Sequence, residues 1–265
     1  MFTPLKLNRL LFILGTFLYI NSAAAENPQW EPWQSLFNGK DYSGWTPKIT
    51  GQKLGVNYLD TFRIKDGMMQ IRYDKYTRFD NDFGHLFYKE PFENYHLRLD
   101  YRFSGDQTPG APEWAFRNAG VMFHAQSPAS MRLDQAFPVC VELQTLGGNG
   151  KDPRSTGNLC TPGSHVHMEG KLETQHCINS SSPTFHGDQW VSLELIVLPD
   201  NIQHLINGKV VFEYNKPVLD GADDDAKAML KSGLPLEMKN GYIALQAEGH
   251  NVDYRNIEIR RLKTN

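Results

Sequence analysis

A carboxylate and an amide stand at alternating positions in the segment between residues 138 and 145. Val141 and Leu143 would lie on one face of a strand there, and Glu142 and Gln144 on the other, because successive side chains of a strand point to opposite sides. A carboxyl group beside an amide can exchange protons with a hydroxyl-rich ligand or hydrogen-bond it. This face is therefore a candidate site for acid–base chemistry.

Two further segments repeat the pattern. In the segment 118–124, Gly120 and His124 lie opposite Val121 and Phe123. In the segment 241–257 we predict a strand pair, in which the first strand carries Gln246 and Glu248 opposite an apolar face and a tight turn contains His250. If the three polar faces line one hollow, they supply two carboxylates, two amides and an imidazole. The alternative is that they are solvated outer faces of an antiparallel sheet.

A second cluster contains two histidines two residues apart. His165 and His167 share a strand face, and Glu169 continues it. A His-x-His pair with a carboxylate can bind a divalent metal ion. The alternative is a histidine-bearing loop that hydrogen-bonds substrate or backbone, so the sequence leaves the metal unassigned.

The N-terminus has the pattern of an export signal. Lys6 and Arg9 precede an apolar run, and three alanines stand before Glu26. This predicts a signal peptide over residues 1–25 and a periplasmic or extracellular protein without stable membrane insertion after cleavage. An uncleaved N-terminal anchor is the alternative. We expect one domain over residues 26–265, and nothing in the sequence indicates its oligomeric state.

The charge balance bears on the binding partner, and the cysteines bear on disulfide formation. The chain has 27 Lys and Arg against 30 Asp and Glu, with no basic stripe, so we expect no nucleic-acid partner. Of its three cysteines, Cys160 and Cys177 flank a loop-like segment, and we predict a disulfide between them. Cys140 would then be a buried free thiol. A nucleophilic role for the odd cysteine is the alternative.

Short alternating runs separated by turn signals indicate an all-β protein. Asn207-Gly208 between two such runs predicts a hairpin. Acidic residues at 223–225, then Lys231, Gly233 and Pro235, predict one short surface helix over Asp220–Lys231.

The order of these motifs resembles the 3-keto-disaccharide hydrolase family of secreted bacterial proteins. The resemblance covers nearly all of the mature chain. The segments that carry it are residues 33–45, 62–67, 84–88, 92–101, 118–124, 141–144, 188–190, 206–208 and 241–257.

The resemblance implies a concanavalin A-like jelly-roll sandwich of two antiparallel sheets. It also implies that the protein cleaves glycosidic bonds of sugars oxidised at C3. It implies roles for Glu142, Gln144, His124, Gln246 and His250. In such chemistry Glu142 would be the base. His124 or His165 would stabilise the enolate or act as the acid, and a divalent metal ion polarising the ketone would fit.

We expect the remaining polar and aromatic candidates, Glu248, His167 and Trp114, to contact the sugar. Two non-enzymatic hypotheses remain open at this point. One is a carbohydrate-binding module with rings such as Trp114 or Tyr242 along an open groove. The other is an interaction domain of the cell envelope. Sandwiches host all of these functions, so fold alone does not choose between them.

Overall fold

The computed structural model describes residues 28–263, and the predicted signal peptide lies outside this range. Seventeen strands form two antiparallel sheets. The strands are β1 (Gln34–Ser35), β2 (Trp45–Ile49), β3 (Phe62–Lys65), β4 (Met68–Ile71), β5 (Gly84–Tyr88), β6 (Tyr95–Gln107), β7 (Asn118–Ala125), β8 (Val141–Leu146), β9 (Asn158–Cys160), β10 (Ser164–Met168), β11 (Lys171–Glu173), β12 (Cys177–Ile178), β13 (Val191–Leu198), β14 (Asn201–Ile206), β15 (Lys209–Leu219), β16 (Tyr242–Ala247) and β17 (His250–Arg261).

Seven strands make the smaller sheet, in the order β12-β9-β8-β7-β16-β5-β2. The larger sheet has ten strands, in the order β11-β10-β15-β14-β13-β6-β17-β4-β3, with β1 also paired to β17. Three 3-10 turns lie at Tyr58–Asp60, Glu113–Ala115 and Pro128–Ser130. The predicted all-β sandwich is confirmed.

The core lies between the sheets and contains the apolar positions of the alternating strands. Val141, Leu143 and Leu245 are fully or almost fully buried there. The intervening side chains of the smaller sheet must therefore point away from the core, onto what we call the outer face. This is the face to which alternation assigns Glu142 and Gln144.

The predicted helix forms, but it begins later than expected. It is α1, Asp224–Lys231, and the Asp223 carboxylate caps it by accepting a hydrogen bond from the Ala226 amide at 2.8 Å. Because a capping residue stands outside the helix, the residues from 220 to 223 are not helical. The predicted hairpin at Asn207-Gly208 is confirmed, joining β14 to β15.

The C-terminal strands do not form the predicted strand pair. β16 belongs to the seven-stranded sheet and β17 to the ten-stranded sheet, so the chain crosses between the sheets at Gly249. Gly249 has φ of 89°, and a Cβ there would lie 2.7 Å from Ala111. His250 is the first residue of β17 and not a turn residue.

The predicted disulfide between Cys160 and Cys177 is present, and Cys140 is free and buried. The disulfide joins β9 to the short edge strand β12. Within residues 28–263, no helix has the length and apolar character needed to cross a membrane.

Removing the disulfide should destabilise the fold. Replacing Cys160 and Cys177 by serine should lower the free energy of unfolding by about 3 kcal/mol, because the unfolded chain gains the entropy of an open loop. Chemical denaturation with and without a reducing dithiol measures this. Cys140→Ala is the control and should keep the response to the dithiol. A wild-type unfolding curve that does not change on reduction would contradict the prediction.

Candidate active site

One row of residues crosses the outer face of the seven-stranded sheet, and we call it the polar row. Strand pairing aligns its members, and the pair Leu245–Val121 sets Gln246 beside Gly120. In strand order the row is Lys48, His85, Gln246, Gly120, Gln144 and Asn158. Every member except Gly120 brings a side chain able to form hydrogen bonds.

The space above Gly120 is occupied by Glu142. A Cβ at position 120 would lie 2.2 Å from Glu142 Oε1 and 2.9 Å from Glu142 Cδ. A Cβ at this position would force the Glu142 side chain to move. The glycine therefore lets the carboxyl group of Glu142 lie against the backbone of β7.

Glu142 and Glu248 line the same cavity, whose volume is about 920 Å³. The two residues are only 5% and 3% exposed. Burial raises the pKa of Glu142 to about 8. Burial, and then the nearby charge of Glu142, raises the pKa of Glu248 well above its ordinary value. The pair therefore retains at least one proton at neutral pH, because ionising both would place two like charges in a buried site.

Three amide and carboxyl oxygens at this site have no hydrogen-bond partner among residues 28–263. They are Glu248 Oε2, Gln246 Oε1 and Asn118 Oδ1, all buried. A buried polar atom left unpaired destabilises a fold by about 1–3 kcal/mol. Glu248 and Asn118 line the cavity. This arrangement is typical of a site whose hydrogen bonds are completed by a ligand or by water.

Aromatic residues form one wall of the cavity. Trp114 is 53% exposed and stacks on Phe83, with ring centroids 5.8 Å apart and an angle of 10° between the rings. Phe83 in turn contacts Phe137 at 4.9 Å. An exposed ring beside buried carboxyl groups is suited to packing against the apolar face of a sugar.

Arg154 supplies positive charge to the cavity. It is partly buried, and its burial lowers the pKa of the guanidinium, which stays charged. Among the described residues, no carboxylate forms an ion pair with it. Its charge is therefore available to an anionic group of a ligand.

The structure brings four of the predicted residues together around this cavity: Glu142, Gln144, Glu248 and Trp114. Gln246 lies in the polar row beside them. Gln144 accepts a hydrogen bond from Asn158 Nδ2 at 3.0 Å, which fixes its orientation. These residues share one place because β7, β8 and β16 are neighbours in the sheet.

Two predicted histidines lie elsewhere. His124 lines two other cavities, near Pro217 and Tyr242, and not the one that contains Glu142. It has φ of 46°, so the backbone leaves strand geometry there. Burial lowers the pKa of His124 to about 4. His250 packs between Phe103 and Phe116 behind the site, at ring distances of 5.8 and 5.1 Å.

The His-x-His pair lies in the ten-stranded sheet. His165 Nε2 is 3.4 Å from Asp220 Oδ1, and His165 lines a neighbouring cavity of about 660 Å³. His167 Nδ1 contacts the Lys216 carbonyl at 2.9 Å. In the part of the chain that the structure describes, no three His, Cys, Asp or Glu side chains gather as metal ligands would. The possible divalent ion therefore has no assigned ligands, and we derive no step through one.

Sequence reasoning missed Arg154, Asn118 and His85. Arg154 stands in an irregular loop, where no periodicity indicates its direction. Asn118 was detectable, because it begins the alternation visible in β7. His85 was not, because β5 also carries Phe87 on the face of His85 and so shows no alternation of polar and apolar residues. Strand geometry sets both on the outer face, beside the residues that were identified.

The family model described as the 3-keto-alpha-glucoside-1,2-lyase-like domain matches residues 32–260. The chain belongs to this family. The match confirms the resemblance drawn from the sequence motifs and spans both sheets. No curated protein sequence matches the chain significantly.

Solved structures of similar architecture support the jelly-roll fold. A Bacillus subtilis protein of unknown function with a galectin-like fold has a TM-score of 0.52 at 14% identity, covering 89% of this chain and 99% of that one. LamAcat from Zobellia galactanivorans has a TM-score of 0.50 at 11% identity, covering 88% and 97%. At such identities the likeness shows the fold alone.

A double-mutant cycle tests the packing of Glu142 over Gly120. Gly120→Ala should destabilise the protein by about 1–3 kcal/mol, because the new methyl group meets the Glu142 side chain. In a Glu142→Ala background the same substitution should cost much less. Gly84→Ala is the control, since its Cβ would meet Ile49 and Phe62 in the core. Gly84→Ala should lower the free energy of unfolding by the same amount in the wild-type and Glu142→Ala backgrounds. If Gly120→Ala also destabilises both backgrounds equally, Glu142 does not pack over Gly120.

The raised pKa of Glu142 predicts a particular dependence of stability on pH. The folded protein keeps a proton that the unfolded chain releases, since the pKa changes from 4.5 to about 8 on folding. The contribution is full below pH 4.5 and is lost as the pH rises through about 8. A glutamine at position 142 stays neutral at every pH. The free energy of unfolding of Glu142→Gln should therefore fall less than that of the wild type between pH 4.5 and about 8, by a difference on the order of 2–4 kcal/mol.

Denaturant unfolding at several pH values across this window measures the difference. Glu31→Gln, at an exposed carboxylate, is the matched control and should follow the wild type. If the Glu142→Gln curve runs parallel to the wild-type curve, Glu142 is not the buried, proton-retaining group described here.

Proposed function

We propose that this protein cleaves the glycosidic bond of sugars that carry a ketone at C3. The observation that carries the proposal is the pair Glu142 and Glu248, two carboxyl groups with raised pKa in one cavity. Membership of a family described as 3-keto-alpha-glucoside-1,2-lyase-like supports the substrate class. The fold does not, because many functions share it.

The reaction begins at C2, whose hydrogen is acidified by the neighbouring ketone. The ionised carboxylate of the pair removes this proton, and the C–H electrons form the enolate of C2 and C3. The enolate then expels the oxygen substituent at C1, leaving a double bond between C1 and C2. The protonated carboxyl group gives its proton to the departing oxygen. Addition of water across the double bond completes the hydrolysis.

Glu142 is assigned as the base and Glu248 as the acid. The pKa of Glu142 is raised to about 8 and that of Glu248 well above its ordinary value, with the charge of Glu142 contributing to the second shift. Ionisation of one carboxyl group opposes ionisation of the other, and we assign the ionised state to Glu142 and the retained proton to Glu248. A catalytic acid and base work best when their pKa values lie near the working pH, which burial achieves for a carboxyl group.

The other cavity residues would bind and orient the sugar. Arg154 has no ion-pair partner among the described residues and would stabilise the negative oxygen of the enolate. Gln144 and Asn118 would hydrogen-bond hydroxyl groups, and Trp114 would pack on the face of a ring. An exported location fits this assignment, since the Cys160–Cys177 disulfide persists in an oxidising compartment.

A second candidate function is carbohydrate binding without cleavage. The exposed Trp114, stacked on Phe83, favours it, because such a ring binds sugars whether or not a reaction follows. The two candidates differ in what the carboxyl pair does. Under the binding hypothesis, Glu142→Gln would preserve or strengthen the hydrogen bonds to a sugar.

The deciding experiment incubates the purified protein with a 3-keto-disaccharide and with its unoxidised parent, with and without a chelator. Only the keto sugar should release its C1 substituent, and the arm with the chelator decides whether a divalent ion contributes. Glu142→Gln should lower kcat by about 100-fold to 10,000-fold, because an amide cannot accept the C2 proton. The fold should remain intact, as circular dichroism would show.

Glu31→Gln serves as the control for removing one carboxylate and should retain wild-type turnover. If the keto sugar is bound but never cleaved, the carbohydrate-binding function replaces the enzymatic one. Full turnover by Glu142→Gln would remove this residue from the mechanism.

A further inference from the structure

His85 is a buried histidine whose ring nitrogens are unpaired. It is 1% exposed, and neither Nδ1 nor Nε2 has a hydrogen-bond partner in the part of the chain that the structure describes. The surrounding packing does not satisfy it, since its ring neighbours are Phe87 and Phe137, at 6.1 and 6.0 Å. Two unpaired ring nitrogens destabilise the fold. The sandwich core does not need them, because His85 lies on the outer face of β5.

The polar row leads from His85 directly to the proposed reaction site. His85 is opposite Gln246, whose Oε1 is also unpartnered. Gln246 is beside Gly120, where the Glu142 carboxyl group lies. Neighbouring strands are about 4.8 Å apart, so His85 is roughly two strand spacings from Gly120. A single sugar ring bound over Gln246 spans much of this distance.

The ring of Phe137 neighbours His85, with centroids 6.0 Å apart, and also lines the cavity. Phe137 lines both the 920 Å³ cavity and the neighbouring 660 Å³ cavity. It lies in an irregular segment between β7 and β8, so its position is not fixed by strand pairing. The contact proposed below requires this side chain to move aside.

The protonation state of His85 suits a neutral ligand. Burial, and then the charge of Lys48 opposite it, lowers the pKa of His85 to about 3. The Lys48 ammonium is held by the carbonyls of Ile49 and Leu133, at 3.2 and 3.0 Å. The imidazole is therefore uncharged at working pH, with one donor and one acceptor nitrogen.

We propose that His85 is a specificity-determining residue of this site, which together with Gln246 hydrogen-bonds a hydroxyl or carbonyl oxygen of the sugar beneath Phe137. The inference rests on the proposed function and adds a contact to it. A ligand oxygen would pair the nitrogen that the protein leaves unpaired. A sugar without that oxygen would leave it unpaired and would bind less well.

His85→Leu should lower activity without lowering stability. Removing an unpaired buried imidazole should leave the free energy of unfolding unchanged or raise it. The same substitution should lower kcat/KM for a 3-keto-disaccharide at least about tenfold, through the lost hydrogen bond. His85→Gln keeps a donor and an acceptor and should recover part of the loss. Tyr95→Phe is the matched control, because it removes another buried unpartnered group from the core and should change neither quantity.

Calorimetry measures the binding of the keto disaccharide and of its unoxidised parent to wild type and to His85→Leu. Together with the rates of cleavage, it distinguishes the role of His85 from the proposed enzymatic function. Cleavage by wild type with equal kcat/KM in His85→Leu overturns only the role of His85. Binding without cleavage, weakened by His85→Leu, overturns the enzymatic function and supports the contact. If wild type neither binds nor cleaves the sugars, both proposals fail.

Discussion

The register of the seven-stranded sheet is the constraint on which the site depends. Side chains alternate with a period of two, so a slip of one residue would exchange the two faces of a strand. In β8 such a slip would send Glu142 into the core and Val141 into the cavity. The apolar residues of the core face, Val121 in β7 and Leu245 in β16 among them, oppose it by the free energy of their burial. The core therefore aligns the polar row from the opposite face of the sheet.

That alignment gathers groups that each reduce stability. Glu142, Glu248, His85 and Lys48 are buried ionisable side chains, and several of their polar atoms have no partner. A fold selected for stability alone would replace them with apolar residues or expose them. Their retention on one face of one sheet, with Glu142 and Glu248 lining its cavity, is the pattern expected where function opposes stability. The ten-stranded sheet shows the contrasting case, because its buried Asp253 is paired with Arg72 and Arg102.

Alternation in the sequence predicted much of this arrangement, and its failures have physical causes. It assigned Glu142, Gln144, Gln246 and Glu248 to the correct faces because strand periodicity is a local property. It could not tell that β16 and β17 belong to different sheets, since pairing is decided by long-range packing. It grouped His124 with the site, but a left-handed residue ends the alternation there. Arg154 was invisible because a loop has no period, and the Cys160–Cys177 pair was found because export chemistry and spacing are readable without a fold.

The protonation states of Glu142 and Glu248 affect which mechanism of glycosidic bond cleavage the site favours. In a retaining glycosidase one carboxylate must be ionised to attack C1 while the other stays protonated. Here burial raises the pKa of both groups, so the ionised form is scarce at neutral pH. Once formed, it is a stronger base than an ordinary carboxylate, because basicity rises with pKa. A strong base beside a retained acid suits removal of a proton from carbon and protonation of the departing oxygen. This pair is therefore suited to a substrate whose ketone acidifies the C2 proton. It is less suited to a glycoside whose bond breaks through an oxocarbenium-like cation.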